Sequence, residues 1–234
     1  GCIASATAMD KVRSKLVVRN LGIRVAQDLV FSAEDWRTGS QNIEAQVATE
    51  IGFPCVVKNP TQGSSLGMAI PQKTAELAKA VDLALAYGDT FMVEEFLHGT
   101  EVTCGILDVD PAAPPRALPV TEIRPVTSSY FDYAAKYTPG ATEEITPAEI
   151  SEPTTARVQE VALRVHQAIG CKTWSRSDMI LVKGEPVWIE INTTPGMTRT
   201  SLYPQAAAAA GIPYGRLLEL FVYSAIAEQS PQKG

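Results

Sequence analysis

Three oxygen-bearing side chains in the second half of the chain have the types and spacing of a cation site. Glu190 and Asn192 alternate with branched apolar residues in PVWIEIN, a pattern that predicts a β-strand with both side chains on one face. Asp178 lies in a similar pattern, SRSDMILV, and a turn at Gly184 predicts that the two strands form a hairpin. If the turn centres on Gly184, Asp178 lies across from Glu190, where like charges are destabilising unless they hold a cation such as Mg²⁺.

The same residues are compatible with a second interpretation, in which no metal is bound. Arg176 alternates with Asp178 and would lie across from Asn192, so its guanidinium could neutralise the acids on a solvated sheet face. A slip of one residue in the register would place the two strands' polar residues on opposite faces. From the residues alone, a metal site and an ion-paired sheet face are equal alternatives.

The stretch KNPTQGSSLGM has the composition of an anion-binding loop. Lys58 ends a predicted strand and is followed by Gly63, Ser64, Ser65 and Gly67, whose backbone N–H groups could converge on a phosphate. The loop is not a Walker A motif, because it lacks the Gly-Lys-Ser/Thr ending and precedes a strand rather than a helix. An ordinary flexible hairpin loop is the alternative.

Two further stretches contain residues suited to a nucleotide site. Glu94, Glu95 and Glu101 crowd a strand–turn–strand junction in FMVEEFLHGTEVT, where backbone groups could bind an adenine edge and a carboxylate could bind ribose hydroxyls. A solvated acidic turn is the alternative there. Several tyrosines surround Lys136 in YFDYAAKYTPG, which predicts a lid over a charged ligand or a loop pinned to the surface by its aromatic residues.

Helical and strand patterns are mixed along the chain, without the strict alternation of a parallel sheet, and this predicts the α+β class. Helices are predicted in MDKVRSKLVVRNLG, NIEAQVATEIG, KTAELAKAVDLALAYG, TTARVQEVALRVHQAIG, LYPQAAAAAG and YGRLLELFVYSAIAE. Strands are predicted in FPCVVKNP, LGMAIP, FMVEEF, EVTCGILDV, LPVTEIRPV, TWSRSDMILV and EPVWIEIN, and a loop is predicted over 127–149. A division between two regions is expected near Glu95–Glu101.

Composition excludes several classes of function. Hydrophobic residues make up 45% of the 234 residues, enough for a packed core, and the net charge of −6 argues against a nucleic-acid partner. No apolar run approaches the ~18 residues of a membrane span. The scattered cysteines form no CxxC motif and predict reduced thiols of a cytoplasmic protein: Cys2, Cys55, Cys104 and Cys171. With only His98 and His166 present, Ser-His-Asp and histidine–metal chemistry are not expected.

In combination, these stretches resemble the D-alanine–D-alanine ligases of the ATP-grasp superfamily. The motifs occur in the family's order: ASATAMDK, VVKNPTQGSSLGM, VEEFLHGTEVT, LPVTEI, YFDYAAKYTPG, SRSDMIL and IEINTTPGMTRTSLYP. The resemblance implies an ATP-grasp fold with two α+β subdomains, 1–96 and 97–234, whose antiparallel sheets grip ATP, with a lid loop at 127–147. It also implies a carbon–nitrogen ligase that joins two D-alanines through an acyl phosphate for peptidoglycan synthesis, with ADP and phosphate as products.

The resemblance assigns roles to individual residues. At the phosphates of ATP it implies Lys11, Lys58 and Lys136, with Gly63 and Ser65 in the loop over them and Tyr130 in the lid. At the nucleoside it implies Glu94, Glu95 and Leu97 for the adenine and Glu101 for the ribose. For two Mg²⁺ or Mn²⁺ ions it implies Asp178, Glu190 and Asn192. Those implied for the reaction are Arg176 and the Gly196 backbone N–H at the oxyanion, Ser201 and Leu202 at the second amino acid's carboxylate, and Tyr137 with Ser64 in positioning the substrates.

The chain departs from the family at two points. Gln62 stands where the family usually has Glu, and nothing here corresponds to the domain that precedes ASATAMDK in the family. We therefore expect a fragment or a naturally short ligase, and expect this chain alone to bind Mg·ATP but to ligate slowly or not at all. The alternatives are a ligase for other amino acids in a specialised pathway and a non-catalytic nucleotide-binding module serving a partner protein. The resemblance leaves a homodimer open.

Overall fold

A computed structural model of the chain describes residues 1–125 and 142–229. The helices are α1 (Cys2–Met9), α2 (Lys11–Asn20), α3 (Ala33–Glu50), α4 (Leu77–Leu85), α5 (Glu152–Ile169), α6 (Leu202–Ala209) and α7 (Tyr214–Gln229), with a 3₁₀ turn at Thr74–Glu76. The strands are β1 (Asp28–Ser32), β2 (Cys55–Lys58), β3 (Thr90–Glu95), β4 (Thr100–Asp108), β5 (Arg116–Ala117), β6 (Thr121–Pro125), β7 (Thr142–Ile145), β8 (Thr173–Val182) and β9 (Glu185–Asn192).

A small antiparallel sheet is formed from the first part of the chain, with strand order β1-β3-β2. Helices α3 and α4 cover one face of it and share a core with its strands, including Val47, Val81 and Phe91. Helix α3 starts at a capping box, in which the Ser32 hydroxyl accepts from the Asp35 N–H at 3.1 Å and the Asp35 carboxylate accepts from the Ser32 N–H at 2.8 Å.

A larger antiparallel sheet has the order β7-β6-β4-β8-β9, with β5 paired to β4. Helix α5 packs on one face through an apolar stripe that includes Val158 and Val165, and the same core contains Trp188. Helices α1 and α2 also pack into this core, through Ala4 and Val18. Helices α6 and α7 form a separate core with β4, which includes the residues Leu107, Tyr203, Leu217 and Phe221.

A two-residue turn joins β8 to β9. Lys183 and Gly184 both have left-handed backbone angles, with φ of 55° and 82°. Two successive positive φ values are the geometry of a type I′ turn, whose twist matches that of a hairpin. The first pair beyond the turn is Val182 with Glu185, so the hairpin is centred between Lys183 and Gly184 rather than on Gly184.

The α+β class and the antiparallel sheets are confirmed, but several predicted elements need correction. The predicted loop over 127–149 contains strand β7, which pairs with β6, while residues 126–141 lie outside the described residues. The stretch LGMAIP forms a single bridge, Ala69 with Val57, rather than a full strand. Helix α3 begins at Ala33, well before the predicted start, and α1 and β1 were not predicted at all.

The predicted division into 1–96 and 97–234 stays a prediction. The two sheets fall on either side of it, whereas α1 and α2 pack with the larger sheet. Among the described residues, no helix combines the length and apolarity that crossing a bilayer requires.

Candidate functional site

A cleft of about 530 Å³ opens between the two sheets. Both sheets contribute side chains to its walls, from β2 and β3 on one side and from β4, β6, β8 and β9 on the other. Ten of the residues predicted for the site line it: Lys11, Lys58, Ser64, Ser65, Glu94, Glu95, Leu97, Glu101, Asp178 and Glu190. The fold therefore brings together stretches that are far apart in the sequence.

Six predicted residues belong to the described chain but are not among those that line the cleft: Gly63, Arg176, Asn192, Gly196, Ser201 and Leu202. Arg176 and Asn192 reach the cleft indirectly, through hydrogen bonds to Asp178. The predicted lid residues Tyr130, Lys136 and Tyr137 lie outside the described residues, so their roles stay predictions.

The Gly/Ser loop follows β2 and has an unusual backbone. Ser64, Ser65 and Gly67 have φ of 52°, 57° and 70°, in the left-handed region that L side chains rarely adopt. A Cβ on Gly67 would lie 2.6 Å from the ring of Tyr87, so only glycine lets the loop pass there. Non-glycine residues held at positive φ are a source of strain that often marks a ligand-binding segment.

Lys11 joins this loop to the larger sheet. Asp10 caps α2 by accepting from the N–H groups of Val12 and Arg13, which places Lys11 at the first turn. The Lys11 ammonium donates to the backbone oxygen of Gln62 at 2.8 Å and lies 3.2 Å from a carboxylate oxygen of Glu190. One cation therefore bridges the loop and the predicted metal face across the cleft.

Glu94 is a buried carboxylate held between two ammonium groups. One of its oxygens pairs with Lys15 and the other with Lys58. Burial by itself raises the pKa of the Glu94 carboxyl, but the charges of Lys58 and Lys15 outweigh it and lower the pKa to about 2. Glu94 is therefore ionised at neutral pH, and the Lys58 ammonium is fixed at the wall of the cleft.

The predicted pairing on the β8–β9 hairpin is confirmed, because Asp178 lies opposite Glu190 and Arg176 lies opposite Asn192. Arg176 donates to both carboxylate oxygens of Asp178 at 2.8 Å. Burial lowers the pKa of Arg176, but Asp178, two residues along the same strand, outweighs this and raises it above the usual value. The ion-paired arrangement proposed as the alternative is thus present in the structure.

A metal ion remains compatible with this face. The Asp178 carboxylate also accepts from Thr103 Oγ1 at 2.7 Å and from Asn192 Nδ2 at 3.1 Å. Among residues 1–125 and 142–229, no group of three or more His, Cys, Asp or Glu side chains is placed to hold a metal. The predicted set combines two carboxylates, Asp178 and Glu190, with an amide, and such oxygen donors suit Mg²⁺.

A tight turn follows β9 and leads into α6. A Cβ on Gly196 would lie 2.9 Å from Ser201 Oγ, so the glycine lets Ser201 approach the backbone. Ser201 Oγ accepts from the Thr198 N–H at 3.1 Å and exchanges a hydrogen bond with Thr198 Oγ1 at 2.8 Å. Tyr214 supports the turn from α7 by donating to the backbone oxygen of Met197 at 2.7 Å. Gly196 of the predicted oxyanion site and Ser201 of the predicted carboxylate site are therefore joined in one turn.

Sequence reasoning missed the residues that support the site from behind. Thr103 resembles any β-branched strand residue, and only the pairing of β4 with β8 brings it to Asp178. Lys15 and Asp28, which form an ion pair at 2.8 Å, were also missed. The one available signal for Lys15 was its spacing of four residues from Lys11, which places both on one face of a helix.

The cysteines agree with the sequence-based prediction of reduced thiols. All four cysteines are free; Cys55, Cys104 and Cys171 are buried, and burial raises their pKa to about 11, 12 and 11. His166 is buried on α5 and shares a 2.7 Å hydrogen bond with the equally buried Ser175 Oγ. Because neither group is accessible, this contact is structural rather than nucleophilic.

The chain is similar to known proteins over most of its length. A family model described as D-ala D-ala ligase C-terminus matches residues 17–223. A D-alanine--D-alanine ligase of Halalkalibacterium halodurans is 41% identical over 224 residues, covering 95% of this chain and 70% of that protein. The crystal structure of VanG D-Ala:D-Ser ligase from Enterococcus faecalis is similar with a TM-score of 0.80 and 32% identity, covering 95% of this chain and 63% of that one.

A third similar protein carries a nucleotide in its crystal structure. It is the D-alanine--D-Alanine ligase from Bacillus anthracis complexed with ATP, with a TM-score of 0.76 and 30% identity over 97% of this chain and 69% of that chain. The present chain thus spans between 63% and 70% of the lengths of these three proteins.

Proposed function

Since this chain belongs to the D-alanine–D-alanine ligase family and has its ATP-grasp fold, we propose that its cleft binds ATP and uses it to join two D-alanines for peptidoglycan precursor synthesis. Members of this family are ATP-dependent ligases that act on small amino acids. The observation that carries the proposal is the convergence of ten predicted residues from two sheets on one cleft. The similar Bacillus anthracis structure, which is complexed with ATP, supports a nucleotide in that place.

The proposed nucleotide site follows the length of the cleft. Glu94, Glu95 and Leu97 line the adenine end, where the last strand residues and the turn offer backbone groups to a base edge. Glu101 is proposed to bind the ribose hydroxyls. At the phosphate end, Lys58 and Lys11 both line the cleft, which supports their assignment to the charged part of ATP.

Asp178, Glu190 and Asn192 are proposed to hold Mg²⁺, two ions in the full assignment, with Mn²⁺ as a substitute. Such ions neutralise phosphate charge as it shifts between oxygen atoms. The chain's own contribution is to present the three donors on one sheet face. Lys11 pairs with Glu190 and Arg176 pairs with Asp178 in the structure, and both carboxylates line the cleft.

The proposed reaction has two steps. The carboxylate of the first D-alanine attacks the γ-phosphorus of ATP, and ADP leaves. The amine of the second D-alanine then attacks the carbonyl carbon of the acyl phosphate, loses a proton, and expels phosphate. Arg176 and the Gly196 N–H are proposed to stabilise the oxyanion of this second step, as preorganised donors do in acyl transfer.

The second amino acid is proposed to bind at the turn after β9. Ser201 and Leu202 begin α6, and backbone N–H groups at a helix start favour a carboxylate. Ser64 and Tyr137 are proposed to position the substrates and to favour an amine over a hydroxyl acid. Similarity to VanG, named as a D-Ala:D-Ser ligase, makes D-serine the second candidate for this position. The retention of Arg176, Asp178, Glu190 and Asn192 argues against a non-catalytic module.

A substrate test distinguishes these possibilities. The protein is incubated with Mg·ATP and D-alanine, D-serine or D-lactate, singly and in pairs, while ADP release and products are followed by mass spectrometry. We expect D-alanine to stimulate ADP release and to give the D-alanyl-D-alanine mass, at a low rate in the 234-residue chain. Arg176→Met should abolish any product, while Arg157→Met, at a half-exposed ion pair with Glu185, should not. Product that persists in Arg176→Met, or a chain that does not bind Mg·ATP, would contradict the proposal.

Cellular location and assembly are proposed on the family relationship alone. We place the protein in the cytoplasm, where ATP and free D-alanine meet. A homodimer and a partner protein stay predictions, and the boundary between the two proposed subdomains is placed at residues 96 and 97.

A further inference from the structure

A buried lysine stands behind the cleft without lining it. Lys15, on α2, has only 1% of its side chain exposed, yet it carries an ammonium group. Burying a charge is costly unless it is closely paired, and apolar residues of similar volume often replace a buried ion pair without loss of stability. A lysine at this place therefore calls for a role besides filling space.

The partners of Lys15 are two carboxylates that face each other across the small sheet. Asp28 on β1 and Glu94 on β3 are directly opposite in the strand register, a position at which like charges destabilise a sheet. The Lys15 ammonium pairs with both of them, at 2.8 Å for Asp28. It therefore holds the two carboxylates in a shared arrangement.

Glu94 connects the buried Lys15 to the cleft. Its Oε1 pairs with Lys15 and its Oε2 pairs with Lys58. A carboxylate is planar and rigid, so fixing one oxygen fixes the direction in which the other points. Lys58 lines the cleft, so the position of its ammonium depends on a contact made on the far side of Glu94.

Five charged side chains form a row of alternating sign, which begins at Arg19 and ends at Lys58, a cation in the cleft. Arg19 pairs with Asp28, and the order continues through Lys15 and Glu94 to Lys58. Lys58 is the cation of this row that lines the cleft, beside Glu94, so its ammonium is the group available to an anion there.

We infer that Lys15 is a positioning residue for nucleotide binding, which acts through Glu94 to fix the ammonium of Lys58 in the cleft. This inference rests on the proposed function, in that it takes ATP as the ligand of the cleft. It assigns to Lys15 no contact with the nucleotide itself. The low pKa of Glu94 is in keeping with a carboxylate that stays ionised between its two lysines.

The test compares Lys15→Met with Arg19→Met in the 234-residue chain. Both variants remove a cation of the same row from the same helix, but Arg19 does not contact Glu94. Mg·ATP affinity is measured by calorimetry, at a temperature where circular dichroism finds each variant folded. We expect Lys15→Met to weaken affinity about tenfold, the effect of one lost charged hydrogen bond. Arg19→Met should stay within about twofold of the unaltered chain.

A double-variant cycle separates positioning from general destabilisation. If Lys15 acts through Lys58, then removing Lys15 in a Lys58→Met background should change ATP affinity by less than about twofold. A full further loss in that background would show that Lys15 acts on the cleft by another route and would overturn the inference. Equal ATP affinity of Lys15→Met and the unaltered chain would overturn it as well.

A variant that does not fold and a chain that does not bind ATP would have different meanings. If Lys15→Met does not fold, Lys15→Gln replaces it, because the amide still donates a hydrogen bond to Glu94. We then expect a smaller loss of about threefold, and unchanged affinity contradicts the inference. If the unaltered chain itself does not bind Mg·ATP, the proposed function fails. If it binds and the Lys15 variants bind equally well, only the positioning role fails.

Discussion

Asp178 on β8 lies directly opposite Glu190 on β9, and an extra residue in β9, Ile189, makes this possible. Counted from the turn without a shift, Asp178 would pair with Ile189, and the side chains of Glu190 and Asn192 would point to the other face. A β-bulge adds one residue to one strand and re-aims those beyond it. The bulge therefore brings the polar side chains of both strands to the same face.

The first prediction concerns Glu190 as a metal ligand. Replacing it by Gln removes a charge and a preferred donor while keeping the shape of the side chain. Loss of an outer partner of a metal ligand alone costs about 10- to 100-fold in metal affinity, so a ligand itself should cost at least as much. We expect Mg²⁺-dependent ATP binding to weaken by that factor in calorimetry. Glu185→Gln, at the exposed start of the same strand, serves as the control, and equal binding in both variants would refute the metal assignment.

The second prediction concerns the bridge made by Lys11. Lys11→Met removes the contact of its ammonium with the loop oxygen of Gln62 and with Glu190. We expect Mg·ATP affinity to fall about tenfold, and we expect protease cleavage within the loop at 61–67 to become faster. Arg13→Met, whose side chain is 77% exposed two residues later, should leave both measurements unchanged. If loop cleavage and ATP affinity do not respond to Lys11→Met, the bridge has no role in the site.

The third prediction concerns the turn after β9. Gly196→Ala places a Cβ 2.9 Å from Ser201 Oγ, so one of the two residues must move. Misplacement of a substrate-positioning group costs on the order of 100-fold in rate, and we expect kcat/KM for the second amino acid to fall by about that much while ATP affinity is kept. Gly215→Ala is the matched control, because a Cβ there meets no atom within 4 Å. Equal losses for ATP and for the amino acid would indicate a general structural effect instead.

The fourth prediction concerns the pH dependence of stability. Burial lowers the pKa of His166 below its usual 6.5, although the nearby Asp108 carboxylate opposes this. The folded chain therefore keeps His166 neutral, and its stabilising effect is complete above about pH 6.5 and is lost progressively as the pH falls below that value. For one proton the slope is at most about 1.4 kcal/mol per pH unit.

Urea unfolding between about pH 5.5 and 7.5 tests this dependence. We expect His166→Gln to reduce the fall in the free energy of unfolding toward acid pH. An identical pH slope in His166→Gln and the unaltered chain would contradict the prediction.

Much of the fold could be predicted from local sequence patterns. The bounds of β8 and β9 could be predicted because alternating residues and a Lys-Gly turn specify a hairpin within twenty residues of sequence. Strand β1 could not, because its five residues carry no turn signal and their pairing depends on β3, some sixty residues later. The bulge at Ile189 was likewise invisible, although the predicted pairing of Asp178 with Glu190 was right.

Some residues of the candidate site could likewise be predicted from the sequence, and others could not. Ten of the residues that line the cleft lie in stretches with distinctive composition, so motifs identified them. Lys15 could not be found by that route, because a lysine in an amphipathic helix is normally exposed. Its burial follows from the meeting of α2, β1 and β3, which no local pattern encodes.

The central claim is that the cleft between the two sheets binds Mg·ATP, and a crystal structure of the chain with a slowly hydrolysed ATP analogue and Mg²⁺ tests it most directly. We predict the adenine beside Glu94 and Leu97, the phosphates between Lys11 and Lys58, and metal density at Asp178 and Glu190. Nucleotide density outside the cleft, or an Asp178 carboxylate that remains bound only by protein donors with nucleotide present, would contradict the account.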